Sequence, residues 1–323
     1  MNSGSTESDS AHHQSDDGYL PCPLVFAAAA GARTKRIRIR ISILLALLYD
    51  PLHLAEEVAV ADLCTQGRLD LALGVGYVED DFNAFGVDYH RRGKSMEELI
   101  PFLRRAWTGE SFPHRGVTVR VTPRPCQDPM PIYIGGGASR KSIERAARLA
   151  DGFFPPGMRK PWEAYRQTCM ELDKPDPGDW RPHGPIFLWV TTDDKQRAWE
   201  RLAPHIRHQI DSYGAWTKAG LGKATGPYIP SGDLESLSQD GAYQVVTPDE
   251  AVELAHQLGP AGDAPEPPPG GHPSRRGVAD AAHLRARRAT TPWARRHGTS
   301  ATRHMKSISP VHACCHAQLS DTG

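Results

Sequence analysis

The stretch that most constrains this chain is residues 129–155, "PMPIYIGGGASRKSIERAARLADGFFP". The apolar run Ile132-Tyr133-Ile134 stops at three glycines. A helical pattern follows at once, with Ser139 placed as its N-cap. A second short apolar run, Asp151-Gly152-Phe153-Phe154, comes directly after that helix. A strand that passes through glycine into a helix, and then into another strand, is a unit of a parallel sheet, because the helix carries the chain back to the starting edge.

The same order recurs upstream. "RIRIRISILLALL" (36–48) alternates strictly in its first half, as a half-buried strand does. Its second half is continuously apolar, as expected for a strand covered on both faces. Asp50-Pro51 starts a helix over 51–65, and Gln66-Gly67 ends it. "LDLALGVGY" (69–77) is the next strand, and it also ends in glycines, Gly74 and Gly76. Helices are expected at 24–33, 93–107, 139–150 and 247–259, with a strand at 186–191 and a partly helical segment over 160–222. Strand and helix alternating at roughly 30-residue intervals specify an α/β fold with a parallel sheet.

Three consecutive glycines let the backbone approach a ligand and adopt positive φ. Their amides and those of the first helical turn would face an anion there, helped by the helix dipole and by Arg140 and Lys141. A phosphate cradle and a tight turn that binds nothing fit these residues equally well. Neither a GxGxxG fingerprint nor a P-loop is present. In a barrel of parallel strands, both glycine-tipped ends would open at the same mouth, where ligands sit.

Lys plus Arg and Asp plus Glu are equal at 38 each, so bulk charge points to neither a nucleic-acid nor a membrane partner. The six cysteines, at 22, 64, 126, 169, 314 and 315, form no CxxC pair and read as reduced thiols. The polar N-terminus has no secretory h-region, and the longest apolar run, Ile41–Tyr49, is too short for a bilayer. A cytoplasmic protein is expected. Residues 1–17 lack periodicity and are expected to be disordered unless something holds them. From Ala261 the chain has no sustained pattern and carries nine Lys/Arg against four Asp/Glu. This basic tail is expected to be solvated and not to bind nucleic acid.

"DPLHLAEEVAVADLCTQGRLDLALGVGYVEDDFNAFGVD", then "PIYIGGG", then "RAARLADGFFP", resemble the bacterial luciferase-like monooxygenases over about residues 12–260. That resemblance implies a (β/α)8 TIM-barrel type of fold and a flavin- or deazaflavin-dependent oxidoreductase. It gives "AHHQSDDGYLPCP" a meaning: His12 and His13 match a histidine pair after an early strand, with Ala11 in place of the usual acid. In the family the first histidine lies beside the reactive edge of the flavin, where it can move a proton or steady a peroxide adduct. His12, with His13, is therefore the catalytic candidate. By the same likeness Ser42 and Ile43 pass under the cofactor ring and Gly74 and Gly76 lie at a turn near it. Gly135, Gly136 and Gly137 match the phosphate-binding turn. Arg148 and Asp151 fit the pattern too, although an ion pair or cap explains them as well. Tyr77, Phe82 and Phe85 are candidates for the substrate mouth or for ordinary packing. No third ligand stands near the histidines, so no metal is expected.

Measured against the family, the chain is expected to be an incomplete barrel. Only eleven residues precede His12, and they are not strand-like, so the first strands are expected to be missing. After Pro260 the sequence turns into Pro/Arg/His-rich composition where a last strand and helix would close the barrel, as a shifted reading frame in a GC-rich gene would produce. The expected division is a tail over 1–11, the barrel domain over 12–260 and a second tail over 261–323. The expected activity is oxidation of a small organic substrate with reduced FMN and molecular oxygen. A deazaflavin coenzyme with hydride transfer is the alternative, and a non-catalytic remnant is another. Open barrel edges invite pairing, so a homodimer is one way to restore closure.

Overall fold

The computed structural model describes residues 6–9, 13, 15, 19–155, 159–180, 187–223 and 243–258. Five parallel strands form one sheet in the order β1 (Thr6–Asp9), β2 (Arg38–Leu44), β3 (Leu69–Leu73), β6 (Ile132–Gly135), β7 (Gly152–Phe154). The helices between them are α1 (Pro23–Arg33), α2 (Pro51–Thr65), α3 (Glu79–Ala84), α4 (Arg92–Ala106) and α5 (Arg140–Leu149). An antiparallel hairpin, β4 (Phe112–His114) and β5 (Val117–Val119), is inserted after α4. Then come α6 (Arg159–Glu171), β8 (Phe187–Val190), the long α7 (Lys195–Leu221), β9 (Tyr243–Val246) and α8 (Pro248–Leu258). β8 and β9 pair in parallel as a second sheet.

Period-two patterning divides the main sheet into two faces. Ile39, Ile41, Leu71, Leu73, Ile132, Ile134 and Phe153 pack into the core shared with the helices. The opposite face carries Arg38, Arg40, Asp70, Ala72, Tyr133 and Phe154, with Ala72, Tyr133 and Phe154 clustered together. A buried charge requires a partner, and Asp70, wholly buried, is bound by Arg38 through Nε at 3.1 Å and through Nη2. Arg40 lies 3.8 Å from the same carboxylate, with its guanidinium 4.3 Å from the centre of the Phe154 ring.

Helix α2 forms as its end signals dictate. Asp50 accepts hydrogen bonds from the amides of Leu52 and His53, Pro51 takes the first position, and Gln66 adopts the left-handed conformation that stops the helix. Arg68, just before β3, donates to Ile37 O (2.7 Å), Gly31 O (2.9 Å), Thr34 O and Thr34 Oγ1, closing the carbonyl end of α1. Before β6, the Gln127 amide and Nε2 each donate to the buried Asp62 at 2.9 Å.

Three expectations change. Thr6–Asp9 is a strand, although it lies where the sequence reads as a disordered tail with no strand ahead of the histidines; its polar residues are held by main-chain pairing to β2, which needs no apolar pattern. The apolar run after β2 is not continuous strand: the ladder ends at Leu44, and Ala46–Leu48 is a 3-10 turn whose three residues are buried. The next strand likewise ends at Leu73 rather than Tyr77, because its glycines leave the ladder. The 261–323 tail lies outside the described residues.

Candidate active site

The carboxyl ends of β2, β3 and β6 meet around one side chain. The β2 ladder slips between Ser42 and Leu44, a bulge of the kind that re-aims a side chain. Ile43 is thereby turned onto glycines at the end of β3, its neighbour, and of β6, one strand further along the sheet. A Cβ on Gly74 would stand 2.4 Å from Ile43 Cγ2, and one on Gly135 would stand 2.6 Å from Ile43 Cδ1. Gly136, at φ +88°, puts the same Ile43 Cδ1 3.3 Å from where its Cβ would be. A side chain at Gly74 or Gly135 would displace Ile43, so Ile43, Gly74, Gly135 and Gly136 lie together, with Ser42 beside Ile43 in the chain. Ser42 and Ile43 are half-buried and form the floor of the mouth.

Gly136 and the exposed Gly137 lead to α5, where Ser139 Oγ accepts from the Ser142 amide at 3.3 Å. The first turn of a helix leaves further amides without helical acceptors, and here they stand at the end of the glycine turn. Arg140 does not contribute as expected: it is exposed and its Nε donates to Glu144 at 2.7 Å, one turn along the helix. Gly76, at φ +72°, lies on the Phe82 ring, 2.7 Å from its would-be Cβ. Phe82 is thus a buried packing residue, edge-on to Tyr89.

His12 lies outside the described residues. His13 is on the loop after β1, and its ring meets the ring of Phe85 edge-on at 4.7 Å. Phe85, just after α3, is 47% exposed. The loops after β1 and β3 therefore touch across the mouth. His13 Nε2 is buried with no hydrogen-bond partner among the described residues, and burial lowers the pKa of the ring, holding it neutral near pH 7. One turn before Phe85, Asp81 is buried, and burial with the neighbouring Asp80 charge raises its carboxyl pKa to about 6.

Arg148 and Asp151 are not in the site. The Asp151 carboxylate accepts from the Ile132 amide at 2.7 Å and from Arg104 at 3.0 Å, at the amino end of β6. Arg148 is 4.0 Å from Glu97.

Three aromatic residues that periodicity alone does not assign complete the mouth. Tyr19 lies on the loop after β1, and its hydroxyl is 2.9 Å from that of Tyr213 on α7. Trp216, one turn on, meets Tyr213 at 5.3 Å and Tyr19 at 6.2 Å, both edge-on. Near the end of α7, Gly220 packs on Tyr77, and a Cβ there would stand 1.8 Å from the Tyr77 carbonyl oxygen. The available signal was an i, i+3 aromatic pair beside glycines in one helix.

A separate open cleft of about 970 Å³ lies between α7, β9 and α8, lined by Trp199, Tyr243, Val246 and Leu254 among others. It has no glycine turn and none of the residues gathered around Ile43, so the site is placed at the mouth. No helix among the described residues is long and apolar enough to cross a membrane.

The mouth's residues accommodate a phosphorylated flavin-type cofactor. Gly74 and Gly135 crowd Ile43, a helix N-terminus follows Gly136 and Gly137, and the buried His13 Nε2 has no partner among the described residues.

Comparison with known proteins agrees with this architecture. An uncharacterized protein of Mycobacterium tuberculosis is 32% identical over 146 residues, 43% of this chain and 52% of that protein. An F420-dependent glucose-6-phosphate dehydrogenase of Amycolatopsis mediterranei is 29% identical over 182 residues, 49% of this chain and 54% of that protein. The chain thus spans about half the length of the curated relatives it matches. Among solved structures, monooxygenase RslO1 of Streptomyces bottropensis superposes with a TM-score of 0.54 at 24% identity, over 88% of this chain and 89% of that one. The FMN complex of a Baeyer-Villiger monooxygenase component from Pseudomonas putida does so with a TM-score of 0.53 at 17% identity, over 79% of each. The family described as luciferase-like monooxygenase matches residues 9–262, and the chain belongs to that family.

Proposed function

We propose that this protein is an oxidoreductase that uses reduced FMN and molecular oxygen on a small organic substrate. The observation that carries this reading is the convergence of Gly74, Gly135 and Gly136 on Ile43, with the N-terminus of α5 behind them. The turn Gly135–Gly137 and the first amides of α5 would hold the phosphate, and Ser42 and Ile43 would support the ring. When bound, the cofactor supplies the electrons that activate oxygen. His13, neutral and with its Nε2 unpartnered, offers that nitrogen to accept or share a proton at the mouth. Phe85 fixes its ring plane from one side.

A deazaflavin coenzyme with hydride transfer is the second reading, favoured by one observation: the 29% identical relative is an F420-dependent enzyme. The test is a fluorescence titration of the full chain with oxidised and reduced FMN and, in parallel, with coenzyme F420. Saturable binding of one of them, abolished in Gly136→Asp, is the expected result. Equal binding by wild type and variant would remove the phosphate assignment, and no binding of either would remove the function.

A further inference from the structure

The sheet order gives α7 a specific position. Its residues Tyr213 and Trp216 contact Tyr19 on the loop after β1, and its Gly220 rests on Tyr77 in the loop after β3. β2 lies between β1 and β3 in the sheet. A helix that touches the loops on both sides of β2 crosses above the end of β2, where Ser42 and Ile43 form the floor. The end of α7 is therefore the roof of the mouth, and the space between roof and floor is where a substrate would meet the cofactor.

The roof's chemistry is specific. Tyr19, Tyr213 and Trp216 form a triangle of edge-to-face contacts, with ring centres 5.3, 5.9 and 6.2 Å apart. Tyr213 is buried and serves as the anchor, whereas Tyr19 and Trp216 are half-buried. None of the three is charged, and the nearby His13–Phe85 pair is uncharged as well near pH 7. Ring faces stabilise flat, apolar molecules through dispersion and burial. They carry no positive charge to offset the desolvation of a phosphate or carboxylate.

We propose that Tyr19, Tyr213 and Trp216 are the substrate wall of this site and that they select an uncharged, planar or largely apolar molecule over a phosphorylated one. This rests on the cofactor reading above. The inference concerns this chain's own residues, and it sets its substrate class apart from the sugar phosphate named for the Amycolatopsis relative.

The test is calorimetric titration of the full chain with two probes, acetophenone and glucose 6-phosphate, alongside the cofactor titration. Wild type is expected to bind acetophenone and not glucose 6-phosphate. Trp216→Ala is expected to weaken acetophenone at least tenfold while cofactor affinity stays within twofold. Trp216→Phe should recover most of the loss. Gly220→Ala, which removes no ring but pushes α7 off the Tyr77 carbonyl, should weaken acetophenone as well, and a melting curve checks that each variant is folded. Tighter binding of glucose 6-phosphate than of acetophenone, or acetophenone affinity unchanged in Trp216→Ala, overturns the wall. A wild type that binds acetophenone in a Trp216-dependent way but binds neither cofactor overturns the cofactor reading and leaves the wall standing.

Discussion

At the amino ends of the parallel strands several polar groups are tied off, although Arg68 Nε is buried without a partner among the described residues. Arg68 makes four hydrogen bonds around the end of α1, Gln127 satisfies Asp62, and Asp151 accepts from both Ile132 and Arg104. At the carboxyl ends the glycine turns gather instead. Glycines crowd Ile43, His13 Nε2 is buried without a partner among the described residues, and the first turn of α5 has amides that a helix does not pair internally. Buried polar groups left unsatisfied cost stability unless a ligand completes them. On the proposed function, the amino ends chiefly hold the fold and the carboxyl ends receive the ligand.

The largest effect is expected from Gly74→Val, which places branched carbon where Ile43 already stands. Cofactor affinity should fall about 100-fold, or ~3 kcal/mol. Ile43→Ala in the same chain should restore part of it. If Gly74→Val binds normally, the glycines are not a ligand device and the contrast between the two ends collapses. Arg68→Ala comes next: loss of its bonds should lower stability by about 2–3 kcal/mol in urea unfolding, with cofactor affinity unchanged. A matching drop in affinity would show that the amino end also serves the site.

Asp81 sharpens the comparison through pH. Its folded pKa of about 6 lies above the ordinary carboxylate value. The stability it contributes is therefore complete below that ordinary value and is lost as pH rises through about 6. Asp81→Asn should raise stability by about 1 kcal/mol at pH 8, with a gain that shrinks toward pH 4. A pH-independent gain in thermal melts would refute the assignment. The smallest effect belongs to Arg140→Gln: with Arg140 exposed and turned to Glu144, cofactor affinity should change less than about threefold, within the range of surface ion pairs.

Local chemistry made much of this legible. Asp50, Pro51 and Gln66 mark α2, and the glycines of 74–76 and 135–137 mark strand ends that share a mouth. Long-range pairing hid the rest. β1 is polar and exists through its ladder with β2, and β9 is four residues long and defined by β8. The β4–β5 hairpin turns at Arg115 and Gly116, both at positive φ, a weak signal in a proline-rich stretch. Nothing in the spacing of Tyr19 and Tyr213 announces their contact, since 194 residues separate them.

That separation bears on how the site comes into being. A chain leaving the ribosome at roughly 5–20 residues per second would hold Tyr19 and His13 outside the exit for some ten seconds or more before Tyr213 is made. The sheet from β1 to β7 can pair during that interval, since its strands are all in the first half of the chain. The mouth cannot be roofed until α7 emerges. A nascent chain halted before residue 195 would carry the floor, the glycine turns and an uncovered aromatic edge, so the mouth stays open to other chains after the main sheet can already have paired.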